Sequence, residues 1–297
     1  MNAVILMVSI CMLSAGNSFL QKKFQLNTSE TLMNFAFYNF ANAFLACGYF
    51  FVASGFNINI NVSTMIFSAM FAVVVCLSLV IGICILSRVQ IATASIISSS
   101  GNIIVSSVFG IIYFGEHLTV KLVCAIIMML FAAIIPLKFS NSDPQKRSSA
   151  KSKLIICILS FFLAGAANIV SKLYAENPHV TDTVSFFFWT NVILVAASFS
   201  VIVFVALKNH IAPKTVIKTF TPKQLGNVAM RTAMSNISSV LTVSVLSMMN
   251  VSLYTVLTSA LGIIVSALMS LFFKEQMKLR NWISVALAIT AGVILNV

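Results

Sequence analysis

YFGEHLT, residues 113 to 119, breaks a run built from Ile, Val, Phe and Met, and FFKEQMK at 272 to 278 repeats the interruption much later in the chain. Both stretches place a glutamate two positions after a phenylalanine, in a protein with only six Asp and Glu in all. One fixed shift of register pairs Glu116 with Glu275, Phe114 with Phe273, Ser107 with Ser266 and Ser100 with Ser259. The apolar runs ending at these two glutamates therefore read as copies of one another.

Composition says what kind of copies they are. Sixty per cent of the 297 residues are hydrophobic, 8% are charged and the mean hydropathy is +1.04, far from the roughly 25% charge of a soluble domain. Polar or Gly/Pro punctuation divides the chain into ten apolar stretches, near 3–20, 32–53, 64–86, 91–114, 118–137, 153–173, 183–207, 224–248, 251–273 and 279–296. Each approaches the ~20 residues that cross a bilayer as a helix, and their continuous hydrophobicity argues against a membrane barrel. The first span starts at Asn2 without a basic leader or cleavage signal and is read as a retained helix. The six cysteines all fall in apolar spans and form no CxxC pair, while the three histidines sit in connections. Nothing resembles a phosphate loop, a metal site or a nucleophile motif, so neither an enzyme nor a cofactor is implied.

Near the start of each half a slightly different shift aligns LSAGNSFLQKKF (13–24) with LAGAANIVSKLY (163–174), pairing Lys22 with Lys172 and Phe24 with Tyr174. Five spans per copy is an odd number, so the copies enter the membrane in opposite senses. The fold expected is an all-α membrane protein with ten transmembrane helices as two inverted five-helix repeats. The repeats are 1–137 and 153–297, joined by a basic linker at 138–152.

FGEHLTVKLVCAIIMMLFAAIIP and its echo FKEQMKLRNWISVALAITAGVILNV, set in ten spans and about 300 residues, resemble the EamA-type members of the drug/metabolite transporter superfamily. Lys274, where that family often has Gly, and Ala125, where a Gly is common, depart from its pattern. The resemblance implies a secondary transporter that moves a small organic metabolite through a central cavity by alternating access. It implies a multi-pass protein, here of a bacterial plasma membrane. The competing class is a nontransporting or lipid-handling membrane protein on the same fold. No acid lies inside a span, which favours a neutral, zwitterionic or anionic substrate over a cationic drug and predicts no proton coupling.

Glu116 and Glu275 are expected to fix turns, accepting N–H groups at the start of the next helix. Candidate binding residues are the polar groups at helical spacing inside spans. Arg231 leads: with Pro222 opening its helix it lies roughly 14 Å along, at about 1.5 Å per residue, in a stripe with Asn227, Ser235, Ser238 and Thr242. Its alternative role is snorkelling to headgroups. Asn34, Tyr38 and Asn42 share a face with Asn39 beside it, either lining a cavity or bonding another helix. Asn168 and Lys172 on the sixth span, Trp189 and Asn191 on the seventh, Asn102 on the fourth and Tyr254 on the ninth complete the set. Lys172 also fits a snorkelling role.

Lys and Arg crowd one side, which the positive-inside rule makes cytoplasmic and which places both termini outside; the family resemblance places them inside. The net charge of +12 fits topology and anionic lipid without a nucleic-acid partner. The expected partners are the bilayer and a small-molecule substrate, with a homodimer left open.

Overall fold

The computed structural model describes residues 3–26, 32–86, 91–117, 119–135, 144–177, 182–209, 222–272 and 279–296. Every regular element among them is helical: α1 (Ala3–Leu26), α2 (Leu32–Ala53), α3 (Val62–Leu86), α4 (Ile91–Phe114), α5 (Val120–Ile134), α6 (Pro144–Glu176), α7 (Thr183–Asn209), α8 (Pro222–Leu246), α9 (Val251–Phe272) and α10 (Leu279–Asn296). The all-α class read from the sequence is the class observed. Of the described helices, three contain a stretch long and apolar enough to cross a membrane: Met33–Ala53, Ile155–Glu176 and Thr183–Lys208. The stretch expected at 118–137 forms a helix of only 15 residues, about 22 Å long at ~1.5 Å per residue and short of the ~30 Å hydrocarbon layer. Helix α6 has 33 residues and takes in 144–152 of the expected linker.

The distribution of polarity is that of a membrane-associated protein. Large apolar side chains face outward, among them Met12, Ile112 and Leu207, whereas Ser100, Ser106, Ser107, Thr255 and Ser284 are completely buried. In water this arrangement would expose an apolar surface far larger than soluble monomers carry. In lipid it leaves the apolar face solvated and lets small polar residues join helices from within.

The helices pair as α2 with α7, α4 with α6 and α9, α1 with α8 and α9, α3 with α6 and α7, and α5 with α10. The α4–α6 crossing is very close: a Cβ on Gly101 would overlap the Phe161 carbonyl, and one on Gly165 would overlap the Val105 side chain.

One corner of the bundle explains the glutamate at 116. Helix α4 ends at Phe114, and Gly115 takes φ +65°, a left-handed conformation that suits glycine at a helix C-terminus. The chain turns back so that the Glu116 amide donates to the Gly110 carbonyl at 3.1 Å. A Cβ on Gly110 would lie 2.8 Å from Glu116 Oε2, so this glycine makes room for the carboxylate. The carboxylate then accepts from the Val251 amide at 3.0 Å, the Ser252 amide at 3.4 Å and the Ser252 hydroxyl. It therefore caps α9, in the other half of the chain, and not the next helix as expected. Helix α5 has its own cap, with the Leu122 amide donating to Thr119 Oγ1 at 3.3 Å. Glu275 lies outside the described residues.

Lys172 secures the same corner. Its ammonium donates to the carbonyls of Leu246 at 2.9 Å and Met249 at 3.3 Å, pairs with Glu176 at 2.7 Å and lies 5.8 Å from the Phe114 ring centroid. A cation thus sits on the last carbonyl of α8 and on one in the turn that follows, and an anion sits on the first amides of α9, each complementing the helix dipole it meets.

Candidate functional site

The polar centre of the bundle lies among α1, α4, α6, α8 and α9. Two adjacent cavities of about 220 and 270 Å³ share Ser14, Asn168, Ser238 and Thr242 in their walls. The first adds Asn17, Ser171, Ser235 and Ser239, with Phe71 and Phe187 as an aromatic side. The second adds Ser99, Asn102, Tyr254, Thr258, Ser259 and Gly262. Among the described residues, neither has a charged side chain in its wall.

Helical period explains the lining. On α8, Ser235, Ser238 and Thr242 continue the stripe that begins with Asn227 and Arg231, and steps of three and four keep them on one face. Across the cavities, Asn168 Nδ2 donates to Asn102 Oδ1 at 2.7 Å, and Tyr254 Oη donates to Thr242 Oγ1 at 3.1 Å. The Ser14 and Ser238 hydroxyls are 3.4 Å apart.

Arg231 stands at the edge of this centre. It is only 5% exposed. Nε donates to Asn17 Oδ1 at 2.6 Å, Nη2 to Gln21 Oε1 at 3.4 Å, and the guanidinium lies 5.0 Å from the centroid of the Tyr38 ring. Asn17 lines the first cavity, as does Ser235 one turn further along α8.

Of the residues singled out in the sequence, Asn102, Asn168, Ser235, Ser238, Thr242 and Tyr254 come together in the cavity walls, with Arg231 and Tyr38 beside them. The others lie elsewhere. Asn42 accepts from Thr232 Oγ1 at 2.8 Å, a contact between α2 and α8. Asn34 is buried near the start of α2, and Asn39 Oδ1 is buried without a hydrogen-bond partner among the described residues. Asn191 donates to its own helix at the Phe187 carbonyl, 2.7 Å away. Trp189 Nε1 donates to the Asn59 carbonyl at 3.3 Å at an exposed position, and Lys172 is committed to the α8–α9 turn. Ser14, Asn17, Ser171 and Ser239 were missed as site residues. Hydroxyls and single amides in an apolar helix carry no signal of the direction they face.

Residues 118–173, spanning α5 and most of α6, match the model of the type IV secretion system pilin family. A solved structure described only as "Crystal structure of protein" matches with a TM-score of 0.63 and 14% identity, over 98% of this chain and 95% of that one; at that identity the likeness is one of fold. No curated protein matches. These findings correct two expectations. The family match is to a secretion pilin and not to EamA-type drug/metabolite transporters, and the reading as a metabolite transporter falls with it. The physical reason is visible at the α4 corner: a glycine with positive φ followed by a capping carboxylate is what this helix end requires. GEHLT therefore reports turn chemistry and not a family.

Proposed function

We propose that this chain is a nontransporting, multi-pass integral membrane protein that holds a lipid, with a polar headgroup in the central cavities and an acyl chain in an adjoining groove. The observation that carries this reading is the pairing of two unlike cavities across the contact between α1 and α9. On one side lie the hydroxyl- and amide-lined cavities. On the other is a wholly apolar groove of about 310 Å³ formed by Met7 and Val8 of α1, Leu257, Ala260, Leu261 and Ile264 of α9, and Ile289, Gly292 and Val293 of α10. The seam between them is narrow, with Cys11 Sγ 3.7 Å from the Thr258 carbonyl oxygen. Lipids are the ligand class with a part suited to each side. Each polar cavity is smaller than the roughly 300–1,000 Å³ of ordinary small-molecule pockets and suits a headgroup better than a whole metabolite. The match of residues 118–173 to a type IV secretion system pilin family favours a nontransporting component over a carrier.

Ten spans in two inverted halves belong to the same proposal, with the halves at 1–137 and 153–297. Exchanging α1–α5 with α6–α10 maps the α2–α7, α4–α9 and α5–α10 contacts onto themselves. It also exchanges α1–α8 with α3–α6, α1–α9 with α4–α6, and α2–α8 with α3–α7. Such correspondence supports a repeat. The partners in this reading are the bilayer and its lipids; neither enzymatic activity nor nucleic acid belongs to it, and a homodimer is compatible with it. Cysteines placed at Ser148 and Lys214 are expected to label only from the cytoplasmic face.

The test is lipid extraction and mass spectrometry of the purified protein. Retention of about one lipid per chain is expected, and Ser238→Leu, which fills both polar cavities, should release it. Saturable flux of a water-soluble metabolite through proteoliposomes, with no lipid retained, would sink the proposal.

A further inference from the structure

We infer that Arg231, with Asn17, forms a phosphate-binding site at one end of the polar cavities, a refinement that rests on the lipid-handling reading above. Arginine stays charged in any protein environment, so burying it calls for a counter-charge or a full set of acceptors. Among the described residues Arg231 has neither. Its partners are two neutral amide oxygens and the neutral Tyr38 side chain, and Nη1 is buried with no hydrogen-bond partner among the described residues. The three described carboxylates are engaged elsewhere: Glu116 at the start of α9, Glu176 on Lys172, and Asp182 on the Val184 and Ser185 amides.

What remains is a guanidinium beside a polar cavity, with a donor to spare. A phosphate oxyanion supplies both the missing charge and an acceptor, and guanidinium binds it by paired hydrogen bonds. The Asn17 amide, held at its oxygen by Nε, lines the cavity and presents its own N–H groups as further donors. The phosphate can come from a phospholipid headgroup or from free phosphate, and the experiment separates the two.

The full-length protein in a phosphate-free detergent is melted with short-chain phosphatidylglycerol, with sodium phosphate, or with sodium chloride at matched ionic strength. A saturable rise in the thermal midpoint is expected with one or both phosphate sources and not with chloride. A response to phosphatidylglycerol alone identifies a headgroup; a response to inorganic phosphate with no lipid retained on purification supports the site and removes the lipid reading. Arg231→Lys should keep the fold and raise the half-saturating concentration about tenfold or more. Arg231→Met should lose the response while its ligand-free midpoint stays at or above that of the wild type, because an uncompensated charge has been removed. Unchanged half-saturation in Arg231→Lys, or the full response in Arg231→Met, overturns the inference. So does a lowered ligand-free midpoint in Glu30→Gln, which would identify that glutamate as the counter-charge of Arg231. A retained lipid without any phosphate response would sink this inference and leave the lipid-handling reading standing.

Discussion

Lys172 and Arg231 are buried almost equally, at 6% and 5% exposure, yet their surroundings differ in kind. Lys172 meets a helix-terminal carbonyl, a carbonyl of the adjoining turn, a carboxylate and an aromatic ring, all contributed by the fold. Arg231 meets two side-chain amides and Tyr38, all neutral, and among the described residues it retains an unmet donor. Burial of a cation therefore does not distinguish a structural fastening from a binding site. Completeness of its partners does: the first corner is closed within the chain, and the second is electrostatically open among the described residues.

The largest effect that would break this contrast lies at the closed corner. Lys172→Met should destabilise the protein by about 2–3 kcal/mol, since it strands two carbonyls that have lost a charge-assisted partner; the exposed Glu176 carboxylate adds little. Reversible unfolding in mixed micelles measures this, and a loss under about 1 kcal/mol would remove the distinction between the two cations. Glu116→Gln should cost about 1–2 kcal/mol, because an amide keeps one acceptor but loses the charge at the start of α9. As both residues hold the turn from Leu246 to Val251, the double variant should cost less than the two single losses combined. At the open corner, Thr232→Val removes the hydroxyl that donates to Asn42 and should cost about 1 kcal/mol by the same unfolding measurement. The smallest change is expected for Arg231→Met, within about 0.5 kcal/mol of wild type or stabilising. A loss there as large as that of Lys172→Met would make Arg231 a second fastening.

The sequence was most readable where the physics is local. Helical periodicity placed Ser235, Ser238 and Thr242 on one face with Arg231, and that face is the one that meets the cavity. Gly115 and Glu116 were legible as a helix end because backbone conformation and cap chemistry act within a few residues. The same locality misled the family reading, since the same turn chemistry serves unrelated helical chains. It misled the cap assignment as well, because the nearest helix after Glu116 is not the one it reaches.

By itself the sequence determined the all-helical class, the membrane association and the existence of a polar stripe, because hydrophobic content and a period near 3.6 are properties of the chain alone. Only the tertiary structure decided that Glu116 caps a helix 135 residues away, that Lys172 closes that corner, and that Asn102 and Asn168 meet across a cavity while Asn191 turns back onto its own helix. A polar side chain in an apolar helix must find a partner, but its identity depends on which helices pack together. Gly101 and Gly165 help to fix that packing by letting α4 and α6 approach where no larger residue would fit.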